Sequence, residues 1–244
     1  MPNRPKNSAP ASRAAPADRR YYPLALDLRD RRVVVIGGGR IATRKTAALL
    51  DTGARVIVIS PTVSDRLSRW AREGRIHLRR RRYRRGDLAG ARLAIAATST
   101  PEEHAKIADE ARLTSTWLNV VDEPALCDFI APAVITRGDL TLTISTNGRS
   151  PALARWLKRK LQDVIGEEYG RLTSLLGAIR AALREAGHSP SARSAIIDRL
   201  MASRLLAQLR HHDQTGVLRT VRRITRLTSV TLPRRAPRVR QRPE

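Results

Sequence analysis

The chain is poor in aromatic side chains, with three Trp, four Tyr and one Phe in 244 residues. Any core must therefore be built from Leu, Ile, Val and Ala, and the 41% hydrophobic content is enough for the middle of the chain to fold. There is a single cysteine, Cys127. That excludes an internal disulfide and a thiolate metal cluster, and it fits a reducing compartment such as the cytoplasm. No run of about 18 uncharged apolar residues occurs, so no transmembrane helix is expected. Residues 1–20 also lack the apolar segment of a signal peptide. Acidic residues are scarce as well: 22 Asp and Glu face 47 Lys and Arg, leaving a net charge of +25. Such a field attracts polyanions, whether nucleic acid, an acidic membrane surface or a small molecule with many carboxylates. Much of it lies at the chain ends. Residues 1–20 mix Arg with Pro, Ala and Ser, and residues 226–244 carry Arg234, Arg235, Arg238, Arg240 and Arg242 among prolines. Both read as disordered basic tails.

Between the tails the pattern alternates. Residues 33–36 (Val-Val-Val-Ile) are wholly apolar and end at Gly37-Gly38-Gly39, the pattern of a strand buried on both faces. Residues 41–52 have helical spacing, with Ile41, Ala42, Lys45, Ala48 and Leu49 on one face and Gly53 as the stop. Residues 55–59 form a second apolar strand, completing a βαβ unit. The rhythm continues with a helix over 64–73, strands over 75–79 and 93–97, a helix over 101–112 and a strand over 117–121. The expected fold is α/β, a Rossmann-type doubly wound parallel sheet. After Pro132, residues 133–137 and 140–144 flank Gly138-Asp139 and predict a hairpin. Helices should follow from Pro151, with Leu153, Leu157, Leu161, Val164 and Ile165 on one face, then over Leu172–Leu183, and then after Pro190.

The glycine run carries the clearest chemistry. Residues 37–42 fit G-x-G-x-x-A between a strand and a helix. Gly37 would allow the tight turn, Gly39 would let the backbone approach a diphosphate, and Ala42 would let the helix pack close. The free N–H groups of the helix N-terminus would face that diphosphate. The alternative is a purely structural glycine turn. Where NAD-binding units usually place an acid for the ribose, this chain has Ser60, Pro61 and Thr62, so hydroxyl and backbone groups would have to serve, and NAD is not distinguished from NADP. Asp122, in Asn119-Val120-Val121-Asp122-Glu123-Pro124, closes a buried parallel strand. It reads as a turn residue or as a catalytic carboxylate. His77, His104, His188, His211 and His212 share no metal-ligand spacing, so no metal site is expected. No nucleophile elbow or Walker loop is present. Residues 145–151 join a strand to a helix and could receive a carboxylate at the helix start. Residues 79–85, six arginines around Tyr83, read as a charged surface.

These segments together resemble the precorrin-2 dehydrogenases, which also form the N-terminal module of siroheme synthases. The likeness runs from about Tyr22 to Leu183. It rests on Pro23-Leu24 to Arg29, on residues 35–45, on Asn119 to Pro132 and on Ile144 to Ala154. The resemblance implies a Rossmann NAD-binding domain at 21–131, a small dimerisation region at 132–165 and a C-terminal helical domain at 166–225. It implies a homodimer that oxidises precorrin-2 to sirohydrochlorin with NAD+, in some members also inserting Fe2+ to give siroheme. Asp122 matches the family's essential aspartate. Arg40 and Ile41, with Pro61 and Thr62, match its dinucleotide contacts, and the family too lacks the usual ribose-binding acid. The methyltransferase domain of fused siroheme synthases is expected to be absent. Outside that resemblance, a Rossmann-fold redox sensor or a nucleic-acid-binding protein without turnover stays open.

Overall fold

The computed structural model describes residues 19–227. The expected tails lie outside those residues, apart from 19–20 and 226–227. The chain forms two compact units: one reaches Ala131 and includes Asn147–Arg149, and the other comprises Pro132–Thr146 and continues from Ser150.

The first unit is a five-stranded parallel sheet in the order β3-β2-β1-β4-β5. Its strands are β1 (Arg32–Ile36), β2 (Arg55–Ile59), β3 (His77–Arg79), β4 (Leu93–Ala96) and β5 (Trp117–Val120). The helices are α1 (Arg40–Leu50), α2 (Asp65–Arg72) and α3 (Pro101–Thr114). β1 pairs with both β2 and β4, and helices cover both faces of the sheet there, so its four apolar residues have no wet face. Val33 and Val35, with Val56, Val58, Leu93 and Ile95, pack on Ala42, Ala47 and Leu49 of α1 and on Leu67 and Trp70 of α2. Val34 and Ile36, with Ile57, Ile59, Ala94 and Ala96, pack on Ile107, Ala108 and Ala111 of α3. Each buried Val, Leu or Ile among them contributes about 1.5–3 kcal/mol of burial. The order of strands reverses between β1 and β4, so the carboxyl ends of these two strands form the topological switch point.

Two local readings need correction. The buried face of α1 is Ala42, Thr46, Ala47 and Leu49, while Ile41 and Ala48 are exposed. The i, i+4, i+7 spacing of 42, 46 and 49 takes in a threonine that an apolar count passes over. The arginine run is also only partly a solvent-facing surface. Arg79 and Arg81 reach the buried Asp87 at 2.8 and 2.6 Å, and the Arg84 N–H donates to the same carboxylate at 2.9 Å. Burial alone would raise the Asp87 pKa, but Arg81, the Arg84 N–H and Arg79 outweigh it and hold the carboxyl below its ordinary value. Beside it the buried Glu110 of α3 accepts from the Tyr83 hydroxyl and from the N–H groups of Gly86 (2.9 Å) and Leu88 (2.7 Å). Burial, then Glu110, pushes the Tyr83 phenol well above its usual range. These two acids fold the loop from β3 to β4.

In the second unit β6 (Ala133–Arg137) and β7 (Leu140–Ile144) pair antiparallel across Gly138-Asp139, as the spacing predicts. The helices are α4 (Pro151–Val164), α5 (Glu167–Glu185), α6 (Pro190–Met201), α7 (Leu205–Arg210) and α8 (Gln214–Thr225). Leu172, Leu175, Ile179 and Leu183 of α5 pack with Leu200, Leu205, Val217 and Val221. The sequence suggests one helix through Leu200 and Leu209, but the Ser203 hydroxyl donates to Leu200 O at 2.6 Å and accepts from Leu205 N at 3.2 Å. A side chain that competes for backbone groups in this way breaks the helix there. Arg137 is buried and donates to Ile165 O at 2.9 Å, tying the hairpin to the end of α4. No helix among the described residues is long and apolar enough to cross a membrane.

Asp87→Ala leaves Arg79 and Arg81 without their acceptor and should destabilise the protein by about 3 kcal/mol in urea denaturation at pH 7. Because the folded-state pKa is depressed, this stabilisation is complete above the unfolded carboxylate value of about 3.9 and is lost as pH falls through the folded value. The gap between wild type and variant should therefore close in acid. An equal gap at all pH values would contradict the assignment.

Candidate functional site

The glycine turn is held from three sides. Gly37 has φ +120°, a conformation that side chains rarely adopt. Its N–H donates to Ile59 O at 2.9 Å, and a Cβ there would stand 2.3 Å from Ala97 O. Gly38, which the sequence pattern leaves unspecified, is pressed against the end of β2. A Cβ on it would lie 1.9 Å from Thr62 O and 2.8 Å from Ser60 Oγ, and its carbonyl accepts from Ser64 N at 2.9 Å. Gly39 is the opposite case: exposed, with nothing within 4 Å of an added Cβ.

Gly39 is also the N-cap of α1, with no side-chain hydrogen bond and no acid in the first turn. In the same unit α2 is capped by Ser64, and α3 carries Glu102 and Glu103 in its first turn. The N–H groups at the start of α1 are thus left unfilled by the described residues at the positive end of the helix dipole. These features fit a dinucleotide diphosphate: open space over Gly39, free donors beneath it and no competing carboxylate. Arg40 and Ile41 stand exposed on the first turn. A hydrogen-bond chain fixes that turn, with Ser64 Oγ 2.8 Å from Thr43 Oγ1 and Thr43 Oγ1 donating to Gly39 O at 2.9 Å. Ser60 is buried and its hydroxyl donates to Thr62 O at 2.6 Å, so it shapes the β2 end while Pro61 and Thr62 are exposed beside Gly38.

Asp122 follows β5 with φ +63° and an exposed carboxylate that has no bond to any other described residue. A non-glycine residue in that region is strained and persists only where its surroundings fix it. The surroundings are specific. The buried Cys127 Sγ receives Val120 N–H at 3.2 Å, and Asn119 Nδ2 donates to Phe129 O at 3.0 Å. Leu118 N donates to Asp128 Oδ2 at 3.0 Å, and Arg19 bonds Pro124 O and Ala125 O at 3.0 and 3.2 Å.

The sequence reading missed His104. It lies on α3, only 4% exposed, with Nδ1 2.7 Å from Glu123 Oε1 and Nε2 3.1 Å from Thr98 O. A carbonyl only accepts, so Nε2 donates there, and the ring links the end of β4 to the residue after Asp122. The signal was its spacing: His104 begins the stripe 104, 107, 108, 111 on the buried face of α3. Lys45, on α1, was read only as a face residue. Burial, then Arg44, lowers its pKa, and it lies within electrostatic reach of Cys127. The 145–151 loop leads into α4, whose first turn is closed by its own Ser150, which accepts Leu153 N–H at 3.2 Å. Among the described residues no three His, Cys, Asp or Glu side chains converge as a resident metal centre would require.

Comparison with known proteins decides the kinship. A family model for NAD(P) binding matches residues 24–133, and one for the central part of sirohaem biosynthesis proteins matches 137–163. Siroheme synthase of Xylella fastidiosa (strain M12) is 38% identical over 218 residues, covering 86% of this chain and 46% of that protein. Siroheme synthase of Methylococcus capsulatus is 39% identical over 201 residues, covering 81% and 42%. The structure of the precorrin-2 dehydrogenase SirC matches with a TM-score of 0.69 at 25% identity, over 85% of this chain and 100% of that one. Over most of its length the chain is similar to precorrin-2 dehydrogenase and siroheme synthases. It spans less than half the length of the siroheme synthases it matches. Its five-stranded sheet and C-terminal helices are the fold of that dehydrogenase.

Gly39→Asp puts a charged side chain into the open space over α1 without touching neighbouring backbone. It should abolish NAD binding in calorimetry while leaving thermal unfolding nearly unchanged. Gly37→Ala meets Ala97 O and a positive φ, and should cost stability by about 1–3 kcal/mol or more. NAD binding at wild-type affinity by Gly39→Asp would remove the basis for placing the diphosphate here.

Proposed function

We propose that this chain dehydrogenates precorrin-2 to sirohydrochlorin with NAD+, as a homodimer working in the cytoplasm, where its lone buried cysteine stays reduced. The observation that carries the reading is the exposed carboxylate of Asp122, with no bond to any other described residue, held in a strained conformation at a strand end of a sheet whose glycine turn leaves a helix N-terminus open. The chain spans the whole length of the precorrin-2 dehydrogenase SirC. Removing two hydrogens from the tetrapyrrole sends one away as hydride and one as proton. NAD+ supplies the hydride acceptor when bound to the turn, through Gly37 and Gly39 with Arg40, Ile41, Ser60, Pro61 and Thr62 around it. Asp122 takes the proton and, being exposed, passes it to water. His104, through Glu123, keeps the loop that carries Asp122 against the end of β4. The same carboxylate would serve Fe2+ insertion, where pyrrole N–H protons must leave before the metal, here a substrate, can enter. The net charge of +25 concentrates a substrate with many carboxylates around the protein.

Assembly follows from the second unit. On α4, Leu153 (46%), Trp156 (48%) and Val164 (60%) are exposed, as is Val134 of β6 (40%). Apolar surface of this kind on a hairpin and its following helix is the mark of an interface. Light scattering at micromolar concentration should give a dimer, and Trp156→Glu should shift it towards monomer. A wild-type monomer would contradict the homodimer.

The catalytic assignment is tested by Asp122→Ala. NAD affinity should stay within about twofold, while dehydrogenation falls by roughly 10²–10⁴-fold, the usual contribution of a positioned acid–base group. Fe2+ insertion, where measurable, should fall with it. A folded variant that makes sirohydrochlorin at the wild-type rate would overturn the role given to Asp122.

A further inference from the structure

The opposite, amino end of the same sheet carries a second concentration of chemistry. β1 opens at Arg32 and β2 at Arg55, and these two residues are register partners. Arg92 precedes β4, whose Leu93 pairs with Val33, and its N–H donates to Arg32 O at 2.9 Å. Neighbouring strands lie about 4.8 Å apart, so three arginines stand in a row across three strands. The alternation of side chains puts Arg32 and Arg55 on one face, the face of Val34 and Ile57, and Arg92 precedes β4 beside them. Like charges aligned across adjacent strands oppose one another. None of the three has a carboxylate within 4.0 Å among the described residues, unlike Arg79 and Arg81 nearby.

What these arginines line is concave. A groove of about 470 Å³ is bounded by Asp30, Arg31, Arg32, Arg55, Arg92 and the end of α3 at Thr114 and Ser115. That volume lies within the range of small-molecule sites. Within it the single acid is Asp30, whose backbone carbonyl, not its carboxylate, takes the Arg55 Nε–H at 2.8 Å. Arg32 supplies an independent sign: its Nε is shut off from solvent with no hydrogen-bond partner among the described residues, although its Nη2 donates to Asp87 O at 3.0 Å. A guanidinium whose hydrogen bonds the protein leaves incomplete keeps its positive charge poorly compensated and favours an anion beside it. Arg92 is already positioned, stacked on the Trp117 ring at 5.7 Å from its centroid.

We propose that this groove is an anion site separate from the glycine turn, taking a small molecule with two or more phosphate or carboxylate groups. Planar guanidiniums suit both groups, since each accepts paired N–H bonds. The spacing of three strands asks for charge spread over several ångströms and not for a single monovalent ion.

The test is calorimetry of pyrophosphate against the full chain saturated with NAD, so that the turn at Gly39 is already filled. Wild type should show one saturable site whose affinity drops by roughly tenfold or more in Arg55→Gln/Arg92→Gln, and by less in Arg92→Gln alone. NAD affinity should be unchanged in both variants, which reports an intact sheet. Arg219→Gln/Arg222→Gln, on α8, should bind pyrophosphate as wild type does. Citrate that displaces pyrophosphate would mark a site for carboxylates as well, and citrate that fails to displace it a phosphate site. Absence of a saturable site, or equal loss in the α8 and sheet variants, would show diffuse charge attraction and overturn the proposal.

Discussion

The close approach of Gly37 and Gly38 to the strands on either side of β1 is the constraint on which the rest of this site depends. One glycine lies against Ala97 O at the end of β4, the other against Thr62 O beyond β2, and neither leaves room for a Cβ. That contact brings three strand ends into one compact rim, and it forces the chain to leave β1 through a positive φ into α1. With both flanks filled by protein, the turn is open over Gly39, above helix donors that no described side chain has claimed. Room and polarity for an anionic diphosphate thus arise from packing on the far side of the same turn.

The end of β5 is fixed by different means. There a thiol, a carboxamide, a carboxylate and an arginine hold the segment from Leu118 to Phe129 by its own backbone groups. Asp122 alone in that segment combines a strained backbone with a carboxylate that bonds to nothing else described. Rigid backbone around an exposed functional group is the arrangement that the proposed proton transfer asks for. His104 extends the same logic between strands, since its two ring nitrogens reach the ends of β4 and β5.

Much of this was legible in the sequence because short, β-branched apolar runs bounded by turn residues fit strands covered on both faces. Val33–Ile36, Arg55–Ile59 and Leu93–Ala96 gave the sheet, and the G-x-G-x-x-A spacing gave the turn. Less legible were features that depend on which residues meet in space. Gly38 occupies an unspecified position of the pattern, yet it packs most tightly. Thr46 and His104 are polar, so an apolar count skips them, although helical spacing puts both on buried faces. Arg79 and Arg81 looked like surface charge because Asp87, which organises them, follows a bend at Gly86. Ser203 gave no sign in advance that its hydroxyl would divide one long helix into two.

The charge of the chain has two components in this account: a general field that draws carboxylate-rich molecules, and particular arginines set in a row by strand register. The central claim concerns neither alone. It is that the open turn and Asp122 act together on one substrate, and the most direct measurement is a stoichiometric assay. Purified protein is mixed with precorrin-2 and NAD+, and NADH and sirohydrochlorin are followed by absorbance. The account predicts that both rise together, one NADH for each sirohydrochlorin. A protein that binds NAD+ yet forms neither product from precorrin-2 would contradict it.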